Sequence, residues 1–400
     1  RLAIARGERV LIAAFTNQAV DNVLRRLLDD GCEDFVRLGH RLSIAPELRR
    51  YRLTTRARRI AGLEGNGDDE DDGPDDGADL TPDHVFHALR SAPLAAATTA
   101  TWSAERFDAG GEATRFDLAI VDEASQLTVP ALLGALRFAR RFVLVGDDRQ
   151  LPPLVVSEEA AARGLKRSLF TALSERWVGQ ASVALRTQYR MHPVICEFPS
   201  HAFYGGALEA GGAARDTLLQ LPAAPPAPLA PVLDPCHPLV FVNVPASESV
   251  PEPAGKASPA QARVVTTLVQ ALLAAGVLPE RIGVIAPYRA QVAAIRQRLS
   301  IRAIGGVTVD TVDRFQGAER QIILFSFGGR VMETPYTRGM NFLADPNRLN
   351  VALTRAQRKL ILVGDRRALE SIPLLRDLLT YCAGLYGGRG GLLSARVGTE

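Results

Sequence analysis

The order of apolar and polar residues along the chain predicts alternating strands and helices. Residues 10–15, 118–121 and 142–145 are apolar at every position, which is typical of strands buried on both faces of a parallel sheet. Residues 16–28 instead carry apolar side chains at helical spacing, and residues 239–244 and 282–286 add strand patterns in the second half. This alternation predicts an α/β fold with mostly parallel sheets.

Acidic residues follow the second and third of these apolar runs. Asp122 and Glu123 end one run and Asp147 the next, and the carboxyl ends of parallel strands are where such sheets bind ligands. Asp122 suits Mg²⁺, Glu123 can polarise an attacking water, and Gln150 can sense a phosphate. An acid at a strand end also commonly caps the next helix. Two strands ending in acid, followed by a polar Gln150, favour a functional site over a simple turn.

Hydroxyl and amide side chains stand at two other predicted strand ends. Thr16 and Asn17 precede a helix, and Thr98 and Thr99 follow a short run at residues 95–97. Free N–H groups and polar side chains at a helix start can hold a nucleic-acid phosphate. A plain N-cap explains Thr16 and Asn17 about equally well, and both roles are compatible.

Charge is distributed unevenly. The net charge is +3, although residues 64–79 contain nine acidic residues and no Lys or Arg, so the rest of the chain is clearly basic. A polyanion is therefore a plausible partner. The acidic run is predicted to be a disordered loop within an insertion at about residues 35–92. The arginines at positions 49–59 either touch nucleic acid or form a solvated helix face.

The cysteines and the hydropathy exclude several classes of protein. Cys32, Cys196, Cys236 and Cys382 lie too far apart for a CxxC metal site or a disulfide framework, so reduced thiols and a cytoplasmic location are expected. No apolar stretch is long enough to span a bilayer, and nothing at the start resembles a signal peptide. No membrane partner is expected.

Five segments together resemble the motifs of superfamily-one helicases, in the branch of the nonsense-mediated-decay helicases and senataxin. They are VDEASQ (121–126), VGDDRQLPP (145–153), LRTQYRMHP (185–193), VTVDTVDRFQGAERQ (307–321) and NRLNVALTRAQRK (347–359). Residues 35–53 and 140–155 are most similar to the helicase half of the Okazaki-fragment nuclease-helicases. The resemblance implies two tandem RecA-like domains, at 1–186 and 187–386, with a proline-rich segment at 222–259 and a flexible tail at 387–400.

The resemblance also implies roles for individual residues of the second domain. Arg190 would reach the terminal phosphate of ATP, Tyr189 would pack on the base, and Arg355 would neutralise charge at the transferring phosphate when the domains close. Outside these motifs, a structural ion pair would be the commoner role for Arg190, and a surface position the commoner one for Arg355.

The motif at 307–321 is expected to serve both ligands. The resemblance implies that Thr311 meets the nucleic-acid backbone and Glu319 the nucleotide ribose, with Gln316 and Gly317 among the nucleotide contacts. Gln321 stands where an acid is frequent in the family, and Ser258 and Gln261 stand in place of its Asn-x-x-Glu pattern. The latter departure puts one polar contact in doubt.

The phosphate-binding loop of P-loop NTPases does not occur in this sequence. The Gly255–Lys256 pair lacks the first glycine of the pattern and lies in the proline-rich segment. Family spacing would place the loop just before Arg1, and the chain starts without Met, so we expect a fragment whose first domain lacks its first strand. These 400 residues alone are expected to bind nucleotide poorly.

The resulting hypothesis is an ATP- and Mg²⁺-dependent helicase or translocase on single-stranded nucleic acid. Family likeness favours DNA, 5′-to-3′ movement, a role in DNA replication or repair, and a possible nuclease domain upstream. The alternative is a non-catalytic nucleic-acid-binding remnant. A Mg²⁺ phosphotransfer domain of receiver type would explain the acids but not the two arginine motifs. The motor hypothesis predicts Asp122, Glu123 and Gln150 on one side of an interdomain cleft and Arg190 and Arg355 on the other.

Overall fold

The computed structural model describes residues 1–63, 80–245, 256–329, 342–388 and 392–394. The predicted disordered loop at 64–79, part of the proline-rich segment and most of the predicted flexible tail lie outside these ranges. The chain forms two compact units. Unit one contains Arg1–Asp148 and Pro152–Ser182, and unit two contains Arg149–Leu151 and Val183–Glu400. The sequence-based division at residue 186 had placed residues 149–151 in the first domain, whereas their contacts belong to unit two.

Unit one is built on a five-stranded parallel sheet with the order β2-β3-β1-β4-β5. Its strands are β1 (Val10–Ala14), β2 (Val36–Arg37), β3 (Leu94–Thr98), β4 (Phe116–Val121) and β5 (Ala139–Leu144). β1 and β3 are buried at every position, as expected where helices cover both faces of a parallel sheet. The predicted α/β class is confirmed.

The described residues of unit one form eight α-helices, most of which contribute side chains to the two cores on the faces of the sheet. They are α1 (Leu2–Ala5), α2 (Asn17–Asp29), α3 (Leu53–Ala61), α4 (Pro82–Ser91), α5 (Thr99–Trp102), α6 (Val129–Leu136), α7 (Glu158–Ala160) and α8 (Leu169–Arg176). α2 begins where Thr16 Oγ1 accepts a hydrogen bond from Ala19 N, and it buries Val20 and Leu24. Trp102 belongs to the other core, where its indole N–H donates to Ile12 O.

The last strand of this sheet corrects one sequence-based prediction. Residues 142–145 were expected to be buried on both faces, but Phe142 is 50% exposed and Val143 47% exposed. β5 pairs with β4 on one side and is an edge strand of the sheet formed by the described residues. An apolar run predicts a strand, but it does not predict whether that strand lies in the centre of the sheet or at its edge.

Unit two contains a six-stranded parallel sheet with the order β10-β9-β11-β12-β8-β13. The strands of unit two are β6 (Thr187–Gln188), β7 (Glu209–Ala210), β8 (Leu239–Asn243), β9 (Ile282–Ala286), β10 (Thr308–Thr311), β11 (Arg320–Ser326), β12 (Ala356–Gly364) and β13 (Leu392–Ser394). β6 and β7 form a separate parallel pair. The central strands β9, β11 and β12 carry mostly buried Val, Ile, Leu and Phe, which fits burial on both faces.

Helices pack on both faces of this second sheet. They are α9 (Pro193–Tyr204), α10 (Ala213–Asp216), α11 (Ala230–Leu233), α12 (Pro259–Ala274), α13 (Arg289–Ile301), α14 (Val312–Phe315), α15 (Pro346–Leu353), α16 (Arg366–Leu369) and α17 (Pro373–Gly384). One core receives side chains from α12 and α13, and the other from α9, α15 and α17. No helix in the described ranges combines the length and apolarity needed to cross a membrane.

Candidate nucleotide and nucleic-acid sites

The acidic pair of unit one lies directly beyond the carboxyl end of β4. Asp122 continues the sheet, since its N–H donates to Ala13 O at 2.8 Å, and its Oδ1 accepts from Glu123 N at 2.9 Å. Glu123 has φ 53°, in the left-handed region that non-glycine residues rarely adopt. Gln126 Nε2 donates to Glu123 Oε2 at 2.6 Å. Two consecutive carboxylates therefore lie at this sheet edge, and the second of them has a strained backbone conformation.

The loop after β5 packs closely against this acidic turn. Ala124 N donates to Val145 O at 2.9 Å, and Asp147 N donates to Ser125 Oγ at 3.3 Å. Gly146 suits this close approach, because a Cβ there would lie 3.0 Å from Ser125 N, a tight contact. Asp147 is thus held beside the turn that carries Asp122, as the two acid-ended strands predicted.

The donor chemistry of Asp122 fits a magnesium ion. Among the described residues, Asp122 Oδ1 accepts one hydrogen bond, from Glu123 N, and no hydrogen bond is formed to Oδ2. Mg²⁺ is usually held by one or two carboxylates together with substrate phosphates and water. Asp122 can supply the protein ligand at this position.

The start of α2 is fixed by a buried ionic network that the sequence did not reveal. Arg37, fully buried on β2, donates from Nε to Asp21 Oδ1 at 2.8 Å and from Nη2 to Asn17 Oδ1 at 2.8 Å. Asp21 Oδ2 accepts from Ala45 N at 3.0 Å. Because Arg37 occupies the carbonyl side of the Asn17 amide, the N–H₂ group of Asn17 remains as the donor for a ligand.

The predicted threonine contacts of unit one differ in accessibility. Thr16 is exposed and caps α2, so both roles considered for it are compatible with its position. Thr98 caps α5, its Oγ1 lying 2.9 Å from Thr101 Oγ1. Thr99 is only 3% exposed, so it contributes to the core as placed here. Thr16 and Asn17 are therefore better placed than Thr99 to meet a nucleic-acid backbone.

In unit two, Tyr189 is presented on the surface with one side of its ring against glycines. Tyr189 is 71% exposed. A Cβ on Gly211 would approach Tyr189 Cε1 to 3.1 Å, and one on Gly212 would approach Cδ1 to 3.2 Å. The ring thus has a flat backbone support and an exposed face, which suits stacking on a nucleobase.

Arg190 forms an ion pair with Glu319 of the same unit. Its Nε donates to Glu319 Oε2, and its Nη1 donates to Thr354 O at 3.2 Å. Gln357 Nε2 donates to the other carboxylate oxygen, Oε1, at 2.8 Å. Partial burial opposes ionisation, but Arg190, Gln357 and Arg355 hold the pKa of Glu319 below its ordinary value.

Arg355 is buried, which rules out the surface role considered for it. It is 2% exposed, and its guanidinium donates to Val351 O at 2.9 Å and to Thr354 Oγ1 at 2.9 Å. Its Nη2 lies 3.5 Å from Gln150 Oε1, and Asn347 Nδ2 donates to Gln150 O at 2.7 Å. Gln150 was predicted to join Asp122 and Glu123 in the first domain. The structure instead assigns it to unit two, because α15 holds its backbone.

The motif at 307–321 spans opposite edges of the second sheet. Thr311 ends β10 at the carboxyl edge, whereas Glu319 precedes β11 at the amino edge. Gly317 has φ 76° and turns the chain back toward β11. Within the described ranges, the buried Nε2 atom of Gln316 has no hydrogen-bond partner. Such a buried donor is consistent with a contact that only a ligand completes.

The structure therefore brings Arg190, Glu319 and Arg355 together at the amino edge of the unit-two sheet. Thr311 belongs to the other edge of that sheet. Gln357 and Arg37 were not found from the sequence. The signal that could have pointed to Gln357 is its place two residues after Arg355 in the last motif. These features define the class as an α/β protein of two parallel-sheet units with acidic and basic side chains at their sheet edges.

Comparison with known families agrees with this class. Residues 165–367 match a family model described as an AAA domain, and residues 83–158 match a second model with the same description. Because the first match alone covers half of the chain, the chain belongs to the AAA domain family.

Curated relatives with high similarity include two helicase/nucleases and a helicase. The "DNA replication ATP-dependent helicase/nuclease DNA2" of Mus musculus is 37% identical over 95% of this chain and 35% of its own length. The "DNA replication ATP-dependent helicase/nuclease JHS1" of Arabidopsis thaliana is 35% identical over 94% and 26%. The "5'-3' DNA helicase ZGRF1" of Mus musculus is 33% identical over 96% and 20%. This chain spans about a third or less of these relatives.

A solved structure of an Arterivirus nonstructural protein 10 helicase in complex with DNA is also similar. It is 15% identical, with a TM-score of 0.45, over 94% of this chain and 58% of that chain.

Proposed function

We propose that the protein is an ATP-dependent DNA helicase that moves 5′ to 3′ along single-stranded DNA. The printed names of its relatives describe ATP-dependent DNA helicases, and one describes 5′-3′ polarity. The observation that carries the proposal is the pair of consecutive carboxylates beyond β4, with Glu123 in a strained left-handed conformation. Such strain persists where a function requires one orientation of a side chain.

In this proposal, the residues of unit one act on the metal and on the attacking water. Asp122 would hold Mg²⁺, which would supply positive charge against the nucleotide phosphates when bound. Glu123 accepts a proton from the attacking water, and Gln126 keeps its carboxylate oriented through the 2.6 Å hydrogen bond. Asn17 donates its amide N–H₂ group to a DNA phosphate, as Arg37 already occupies its carbonyl oxygen.

The residues of unit two act on the nucleotide and on the DNA strand. Arg355 and Arg190 provide positive charge for the terminal phosphate. Gln150 lies near Arg355 and senses whether that phosphate is present. Tyr189 stacks on the base, Glu319 accepts from the sugar hydroxyls, and Gln316 and Gly317 border the nucleotide. Thr311, at the opposite sheet edge, contacts the DNA backbone.

A single substitution distinguishes the proposed role of Asp122 from that of Glu123. It is made in the protein expressed from its complete reading frame. Glu123→Gln should retain Mg-ATP binding, because Asp122 is intact, and should lose hydrolysis by about 10² or more because the water loses its base. Glu112→Gln, in an exposed pair with Arg115, is the matched control and should hydrolyse ATP normally. Undiminished hydrolysis by Glu123→Gln would remove Glu123 from the mechanism. DNA binding by the wild type without any ATP hydrolysis would support the non-catalytic alternative.

A further inference from the structure

The carboxylate of Glu319 is held by two different donors, one charged and one neutral. Arg190 Nε donates to Oε2, and Gln357 Nε2 donates to Oε1 at 2.8 Å. Gln357 is itself anchored, because its backbone carbonyl accepts from His192 N at 2.8 Å and it lies at the start of β12. The two donors therefore approach the carboxylate from β12 and from the segment that follows β6.

Two of these residues cannot keep this arrangement while binding a nucleotide. Under the proposed function, Arg190 moves to the terminal phosphate and Glu319 accepts from the sugar, so their ion pair must open. Both side chains are partly exposed, and such pairs contribute little to stability. A polyanionic phosphate can therefore displace Arg190 from Glu319 at little cost.

Gln357 does not face the same competition. Its amide is neutral, so a phosphate does not attract it as it attracts a guanidinium. When Arg190 leaves, Gln357 still holds Oε1 and fixes the plane of the carboxylate, and Oε2 becomes available as an acceptor. A carboxylate that is already held in one plane can accept hydrogen bonds from vicinal hydroxyl groups without losing further rotational freedom. A freely rotating carboxylate loses conformational entropy when it forms the same hydrogen bonds.

From this geometry we infer that Gln357 positions Glu319 for the sugar and thereby sets a preference for ribonucleotides over 2′-deoxyribonucleotides. The inference rests on the proposed function and adds a specificity residue to its nucleotide site. A 2′-deoxynucleotide offers one hydroxyl fewer to the fixed carboxylate, so it benefits less from Gln357. Glu319 remains ionised, and so a strong acceptor, at neutral pH because its pKa is held below its ordinary value.

The test compares steady-state hydrolysis of ATP and dATP by the protein expressed from its complete reading frame, with saturating single-stranded DNA. Gln357→Leu keeps the side-chain size but removes the donor. Gln270→Leu, on α12 outside the nucleotide site, is the matched control. We expect Gln357→Leu to raise KM for ATP about tenfold, the effect of losing one ordinary hydrogen bond, with kcat unchanged. KM for dATP should change less, so the preference for ATP should decrease. Gln270→Leu should match the wild type in every parameter.

The outcomes separate this inference from the proposed function. Equal shifts of KM for ATP and dATP would show a merely structural role for Gln357 and overturn the inference, as would an unchanged KM for ATP. In either case, a wild type that hydrolyses ATP leaves the proposed function intact. If the wild type neither binds nor hydrolyses ATP, the proposed function is wrong and the inference is overturned with it.

Discussion

At the scale of single residues, the least visible features in the sequence are long-range polar partners. Arg37 lies 16 residues from Asp21 and is fully buried with it, yet in the sequence it is one arginine of a basic segment. Gln357 is equally inconspicuous. The sequence pointed to Asp122 and Glu123 through their place at a strand end, and to Arg355 through the resemblance of its segment to a family motif. Pairings such as Arg37 with Asp21 depend on tertiary contacts, which periodicity does not encode.

The Arg37 network gives a prediction on stability. Arg37→Met would leave the buried Asp21 carboxylate without its counter-charge, so the free energy of unfolding of unit one should decrease by about 3–5 kcal/mol. Arg25→Met, which removes the exposed pair with Glu47, is the control and should cost about 1 kcal/mol or less. Urea unfolding of both variants measures the difference. Equal losses would mean that the buried pair does not stabilise the start of α2.

Arg355 gives a prediction on catalysis. Arg355→Ala in the protein expressed from its complete reading frame should lower kcat by about 10³ or more, because the transferring phosphate loses a neutralising charge. Arg367→Ala, an exposed arginine on α16, should leave kcat unchanged. Steady-state ATPase assays with saturating DNA make the comparison. A loss of about tenfold or less would make Arg355 peripheral to the chemistry.

At the scale of elements, each apolar run named from the sequence forms a strand, because a strand buried on both faces requires apolar residues along its length. The runs at residues 10–15 and 282–286 correspond to the buried strands β1 and β9. The run at 142–145 did form β5 but was wrong about burial, since Phe142 and Val143 are half exposed. Strand order depends on the whole chain, and a single run does not contain it.

Lys359, a buried lysine in β12, gives a prediction on how stability depends on pH. Burial lowers the pKa of Lys359 to about 7 from an ordinary 10.5, although Asp234 and Cys236 act in the opposite direction. Its ammonium group donates to Asp234 O at 2.9 Å and His237 O at 2.5 Å. Between these two pKa values the unfolded chain binds more protons than the folded one. The folded state should therefore gain stability as pH rises from about 7 toward 10.5.

Lys359→Met tests this assignment, because it keeps the length of the side chain and removes the titrating group. Urea unfolding of the wild type should show a higher free energy of unfolding at pH 9 than at pH 7. The variant should be less stable overall, because the carbonyl groups of Asp234 and His237 lose their hydrogen-bond donor. The increase in its free energy of unfolding between pH 7 and pH 9 should also be smaller than that of the wild type. An identical pH slope in both proteins would mean that Lys359 does not titrate in this range.

At the scale of the whole molecule, each of the two parallel-sheet units carries polar and charged side chains at a sheet edge. Unit one provides adjacent carboxylates and the helix start at Asn17, and unit two provides Arg190, Glu319 and the buried Arg355. The α/β class was predictable because strand and helix periods alternate along most of the chain. The unit to which Gln150 belongs was not, because it depends on hydrogen bonds from α15, almost 200 residues away.

The central claim is that the protein couples ATP hydrolysis to movement along DNA, and strand separation tests it most directly. The measurement uses the protein expressed from its complete reading frame and two fluorescent duplexes, one with a 5′ and one with a 3′ single-stranded tail. We predict ATP-dependent separation of the 5′-tailed duplex, little separation of the 3′-tailed duplex, and none by Glu123→Gln. Binding of both DNAs without ATP-dependent separation of either would contradict the account.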